Sequence, residues 1–287
     1  MTGPREGARD ILVGIDPVRA WHLCLAWAAD EAQRRRLPLR LVLAVPPRHD
    51  TRRADDTPGQ AALRRAGTER LAEAGDWVRA RHPELVVAGE LHGGFPAPVI
   101  AGMARQARMV VLGSRHLGRV AEVFSAGSLV VPVTAQAPCP VVVVGDAEDV
   151  TRQPPYLVVG VDGSASSRAA LAFAFDEADL RGADLRAVHV WQPPQATGND
   201  GEAVPPAQRA LVSEATAGLS EKYPDVHVTH EVATGHPVEE LARAAEHALA
   251  VVVGRRGRGG YTGMRLGSVV HGLLHRAHCP VITVPTG

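Results

Sequence analysis

Short apolar runs recur along the chain, and longer segments with apolar residues at helical spacing separate them. In the second half the runs predict strands near 156–161, 185–191, 226–233, 250–254 and 280–284, with helices over 165–181, 206–223, 237–247 and 268–277 between them. The first half predicts strands near 10–15, 39–45, 84–91, 109–113 and 140–144. Strands joined by crossover helices build a parallel sheet, so the fold class is α/β.

The two halves repeat each other. Ile11-Leu-Val-Gly14-Ile-Asp16 returns as Leu157-Val-Val-Gly160-Val-Asp162, and Met109-Val-Val-Leu-Gly113-Ser-Arg115 returns as Val251-Val-Val-Gly254-Arg-Arg256. Gly127-Ser128 returns as Gly267-Ser268, and Ala137-Pro-Cys139-Pro-Val141 as Ala277-His-Cys279-Pro-Val281. Landmarks kept in one order indicate a duplication, hence two domains of ordinary size. The expected division is a tail over 1–9, a first domain over 10–145, a polar linker over 146–155 that ends in two prolines, and a second domain over 156–287. The Pro-, Gly- and Asp-rich stretches 49–59 and 192–206 each follow a second strand and read as surface loops beside the site edge.

The candidate chemistry lies in Val251-Val-Val-Gly254-Arg-Arg-Gly257, followed after nine residues by Gly267-Ser268. A strand that opens into a loop of small residues and then a helix turns backbone N–H groups and a positive dipole end toward one point, which suits an anion. A tight turn with no ligand is the bland alternative. Ligands of open α/β sheets bind beyond the carboxyl ends of the strands, and Asp162 and Gly254 both fall on that edge.

Composition removes several classes. Acidic and basic residues balance at 31 each, so no net charge draws the chain to nucleic acid or an anionic membrane. No apolar run approaches the roughly 20 residues of a membrane helix, the start lacks a signal-peptide core, and the expected location is cytoplasmic. Lys222 is the only lysine, which excludes a Walker P-loop; the turn Asp162-Gly163-Ser164 is no dinucleotide fingerprint, and no hydrolase serine elbow occurs. Cys24, Cys139 and Cys279 are expected as thiols.

Taken together, the motifs resemble the tandem universal stress proteins of the actinobacterial type, over essentially the whole chain. The pattern of the ATP-binding branch, G-x2-G-x9-G-[ST], is met in full by Gly254, Gly257, Gly267 and Ser268. The resemblance implies two tandem adenine-nucleotide-hydrolase-like (Rossmann-like) domains, each a five-stranded parallel sheet flanked by helices. It implies phosphate contacts from Gly257, Gly267 and Ser268, with Val269 extending the helix-terminal amides and Arg255 or Arg256 neutralising charge. Asp162 and Val190 would hold the adenosine end. In the first copy Asp16, Val45, Gly113, Arg115, Gly127 and Ser128 would correspond. That copy departs where His116 stands for Gly257, where one extra residue precedes Gly127, and where Pro17 replaces Gly163. ATP, with Mg²⁺ as a possible companion, is the implied ligand. A homodimer through sheet-edge strands and an unidentified regulatory protein partner follow from the same resemblance.

Other constellations have plainer readings. His271 and His275 share a helix face near His278 and Cys279, yet read as a helix end rather than a metal site. Glu239 and Glu240 are adjacent and point about 100° apart on a helix. Arg34-Arg-Arg36 suits a helix carboxyl end. No nucleophile, base and orienting acid converge, so catalysis is at most slow. Three functional readings stay open: an ATP-binding regulator of the stress response, a weak ATPase or phosphotransferase using Arg255, Arg258 or Arg265, and a ligand-free dimerisation module.

Overall fold

A computed structural model describes residues 9–18, 21–47, 58–114, 129–145, 153–193, 204–258 and 266–286. The apolar runs form strands β1 (Asp10–Gly14), β2 (Leu39–Val45), β3 (Val87–Gly93), β4 (Ala107–Gly113) and β5 (Val141–Val144) in the first half. In the second half they form β6 (Tyr156–Gly160), β7 (Asp184–Trp191), β8 (Val228–Thr234), β9 (Ala250–Gly254) and β10 (Val281–Val284). Helices α1 (His22–Arg35), α2 (Pro58–Arg81), α3 (Pro96–Met103) and α4 (Val130–Gln136) belong to the first half. Their counterparts are α5 (Ala165–Arg181), α6 (Pro206–Lys222), α7 (Pro237–Ala244) and α8 (Ser268–Arg276).

The chain divides into two units, one carrying β1 to β5 and the other β6 to β10. Within the first unit the sheet order is β3-β2-β1-β4-β5, and within the second it is β8-β7-β6-β9-β10, with every pair parallel. The α/β class and the parallel sheets stand as the sequence implies. In each unit the winding reverses beside the central strand, β1 or β6, and that crevice is where such sheets take ligands. In the second unit α5 and α6 cover one face and α7 packs with α8 on the other.

Burial explains the pattern. Ile11, Leu12, Val13, Leu157, Val158 and Val159 are fully buried, as expected of central strands covered on both faces. On α2 the buried positions Gly67, Leu71, Ala74, Gly75 and Val78 keep helical spacing. Two strands start later than their apolar runs, β3 and, after a turn in which the Val226 N–H donates to the Tyr223 carbonyl at 3.2 Å, β8. Before β3 the chain closes a turn in which the Leu85 N–H donates to the His82 carbonyl at 3.0 Å, so pairing begins only at Val87.

The first helix of each unit also carries a buried charge pair that the sequence reading passed over: Glu31 with Arg35 on α1, and Glu177 with Arg181 on α5. Both glutamates are wholly buried, so Arg35 is more than a cation at a helix end. Glu239 and Glu240 bond different arginines, Arg276 and Arg243, and act as separate surface charges. All three cysteines are buried, and burial pushes the Cys139 thiol up to about 11. Among the described residues no helix is long and apolar enough to cross a membrane, and no group of three His, Cys, Asp or Glu side chains gathers as a metal set.

Candidate functional site

The site grows from the turn after β6. Asp162 Oδ1 accepts the Ser164 N–H at 2.9 Å, and Ser164 Oγ in turn accepts the Ser167 N–H at 3.0 Å, capping α5. Gly163 has φ +78°, which the turn requires and which side chains resist. The other oxygen, Asp162 Oδ2, accepts the Arg258 N–H at 3.0 Å from the loop after β9. A second tie to that loop comes from buried Ser166, whose Oγ accepts the Arg256 N–H at 3.3 Å. Burial pushes the Asp162 carboxyl upward, but the Ser164, Ser167 and Arg258 donors outweigh it and hold the group below its usual range.

Two glycines are dictated by these contacts. A Cβ at Gly254 would stand 2.6 Å from the Ser166 backbone carbon, and one at Gly257 would stand 2.7 Å from Asp162 Oδ2. The Gly267 N–H donates to the Arg255 carbonyl at 2.9 Å, returning the chain to the same loop just before α8. The first turn of α8 then presents the amides of Ser268, Val269 and Val270, which have no acceptor within the helix.

These elements enclose a cavity of about 340 Å³, within the range of small-molecule sites. Asp162, Val190, Gly254, Arg256, Gly257, Gly267, Ser268 and Val269 all line it, as does Arg258. Arg255 does not line it. Its amide continues the sheet by donating to the Val284 carbonyl at 2.9 Å, and successive residues leaving a strand point to opposite sides. Burial, and then the neighbouring Arg256, lower the Arg255 pKa.

Val190 sits at the edge of this cavity for a reason of strand parity. Pairing between β6 and β7 ends with Gly160 opposite Val188, and the Val161 N–H still reaches the Val188 carbonyl at 2.8 Å. Alternate residues of a parallel strand bond to opposite neighbours, so the N–H and C=O of Val190 face the side from which β6 has turned away toward Asp162. A backbone donor and acceptor therefore stand side by side at the cavity wall.

In the first unit the same registers move one expected position. Gly14 pairs with Val42 as Gly160 pairs with Val188, which makes Ala44, not Val45, the counterpart of Val190. Val45 matches Trp191 instead, and its carbonyl accepts the Gly94 N–H on the β3 side, as Trp191 accepts from Gly235. Asp16 keeps its turn, accepting the Val18 N–H at 2.8 Å, but Pro17 cannot take the positive φ of Gly163. The N-cap of α1 is Trp21, with no side-chain cap bond; its ring packs edge-on against Trp77 of α2. A Cβ at Gly113 would meet only the Cys24 side chain, Sγ at 3.4 Å and Cβ at 3.6 Å. Arg115, His116, Gly127 and Ser128 lie outside the described residues, as do Arg265 and most of the two long loops.

The two copies of this glycine-built edge can be set beside known proteins. The model of the universal stress protein family matches residues 7–145 and again 156–285. The chain belongs to that family. It is 35% identical over 286 residues to universal stress protein Rv2623 of Mycobacterium tuberculosis, with 95% of each chain covered. It is likewise 35% identical to universal stress protein Rv2005c of that organism, with 98% of each covered. In three dimensions it resembles a universal stress protein from Archaeoglobus fulgidus, with TM-score 0.74, 18% identity and 98% and 97% coverage, a likeness of fold alone.

Within this universal stress fold the sequence reading missed the cavity wall beside Val190. His189, 9% exposed, places Nδ1 2.7 Å from the Val161 carbonyl and Nε2 2.9 Å from Gln208 Oε1 on α6. In the first unit Leu43 holds the register of His189. Gly67, placed ahead of β3 as Gln208 is ahead of β8, lies against it, and a Cβ there would stand 3.2 Å from Leu43 Cδ2 and 2.8 Å from Leu91 Cδ1. A histidine inside the apolar run Ala187-Val-His-Val-Trp191 was the available signal.

Proposed function

We propose that the second unit binds ATP and that the chain acts as a nucleotide-dependent regulator in the stress response, by binding rather than by turnover. One observation carries the reading: a single cavity joins an anion-suited end to a base-suited end. At the first, Gly254, Gly257 and Gly267 bring backbone close, the α8 amides face inward, and Arg256 and Arg258 supply positive charge. At the second, the Val190 N–H and C=O match the ring nitrogen and exocyclic amine of a 6-aminopurine, while Asp162 suits a ribose hydroxyl.

Asp162 is the only carboxylate among the described residues that line the cavity, and its two oxygens hold the Ser164 and Arg258 amides. A carboxylate so occupied, with a lowered pKa, makes a poor general base. Mg²⁺ enters this reading as the companion of the triphosphate, because one engaged carboxylate does not hold a metal by itself. Cytoplasmic location, a homodimer and a regulatory protein partner belong to the same proposal, with light scattering as the check on the dimer.

The test is the nucleotide content of purified, heat-extracted protein beside a Ser268→Asp variant. An acidic residue in the first turn favours the helix, so the variant folds while its charge repels phosphate. ATP in the wild type and none in the variant supports the reading. Absence of nucleotide, with no thermal shift on adding ATP, leaves a ligand-free interaction module. Hydrolysis faster in the wild type than in the variant would favour the weak ATPase.

A further inference from the structure

We infer that His189 is a positioning residue that sets which purine the cavity accepts, an inference that rests on the nucleotide reading above. Both ring nitrogens are turned into the protein, one to the Val161 carbonyl and one to Gln208, so the histidine that lines the cavity gives the ligand no polar atom of its own. Its effect runs through Val161. That residue lines the same cavity, directly before Asp162; its N–H faces β7 at the Val188 carbonyl, so strand parity directs its own carbonyl to the β7 side as well, toward the edge where the Val190 N–H and C=O stand.

An uncapped carbonyl there would be a second acceptor facing the base. Adenine has a bare acceptor nitrogen on this edge that gains nothing from it, whereas guanine carries an N–H at that nitrogen and a 2-amino group that would both seek an acceptor. The His189 Nδ1–H, 2.7 Å away, takes one lone pair of the carbonyl and makes it a poorer acceptor for the base, which leaves the Val190 pair as the stronger groups on display. With the proton on Nδ1, Nε2 is an acceptor, and the Gln208 amide, turned to present its N–H, fixes the ring from α6. Specificity of this kind is a difference between two affinities, obtained here by withholding a hydrogen bond from the wrong base. Leu43, at the matching register of the first unit, has no donor with which to do the same.

The experiment compares binding of ATP, GTP and inorganic tripolyphosphate by the wild type and by His189→Leu, His189→Gln and His189→Asn. An asparagine amide nitrogen falls near the place of Nδ1 and keeps the donor to Val161, while a glutamine amide reaches toward Nε2 and does not. The wild type prefers ATP. The preference for ATP over GTP falls by about tenfold in the Leu and Gln variants, the size of one hydrogen bond, and holds within about threefold in Asn. Tripolyphosphate binds all four alike. An unchanged ATP-to-GTP ratio in the Leu and Gln variants overturns the inference, as does a loss of tripolyphosphate binding in step with ATP, which would mark a merely structural histidine. Wild-type protein that binds tripolyphosphate but neither nucleotide, or none of the three, overturns the nucleotide reading itself and the inference with it.

Discussion

The backbone amide of Arg258 lies 3.0 Å from Asp162 Oδ2, which ties the loop after β9 to the turn after β6 across the crevice where the sheet reverses its winding. Gly257, the residue before, has no room for a side chain on that bond, since its Cβ would stand 2.7 Å from the same oxygen. Gly257→Ala is expected to break the tie, lowering stability by about 1–2 kcal/mol and weakening ATP binding by about tenfold or more. Calorimetric titration and a melting curve on the same sample check both parts.

The carboxylate also gives the fold a dependence on pH. Its folded-state pKa is below the ordinary value, so its contribution is complete above that ordinary value and is lost as pH falls through the lowered one. Asp162→Asn turns an NH2 group toward one of the two amides and is expected to be less stable than wild type by about 1–2 kcal/mol at pH 7, the carboxylate being partly open to solvent. The gap should narrow and close as pH falls below the ordinary carboxylate range, as denaturant midpoints measured at stepped pH would show.

Matched glycines in the two units are expected to respond differently to one methyl group. At Gly254 it meets the Ser166 backbone at 2.6 Å, whereas at Gly113 it meets Cys24 Sγ at 3.4 Å, an ordinary contact. Gly254→Ala should cost about 2–3 kcal/mol and Gly113→Ala less than about 1 kcal/mol. Thermal melts of the two variants side by side decide it.

Ser164→Ala removes the acceptor of the Ser167 N–H and should cost about 1 kcal/mol. Hydrogen exchange at the Ser167 amide should quicken while amides in the middle of α5 keep their protection.

The strands and the helices of the second half were legible because the central strands are apolar runs ended by glycine or a polar turn, and because two copies of each landmark checked one another. The phosphate-suited end was legible for a related reason: close backbone approach leaves glycine as its trace. What escaped was register and partnership. Leu43-Ala44-Val45 gives no sign of which residue turns its N–H toward β1, so a slip of one residue placed Val45 where Ala44 belongs. Arg255 and Arg256 look alike in sequence, and only the sheet bond from the Arg255 amide separates them. The partnership of His189 with Gln208 spans an entire loop, and neither residue announces the other.

The exchange of His189 and Gln208 for Leu43 and Gly67 has a consequence for any attempt to convert one half of the chain into the other. Leucine fits because the facing helix position is bare, and glutamine is useful because the facing strand position can bond it. Changing one partner alone leaves either an amide pressed against a hydrocarbon branch or an imidazole facing a gap, and both are worse than either finished state. The route between the halves therefore crosses a trough of stability whichever step comes first, and a graft of the second site into the first unit has to move both residues together.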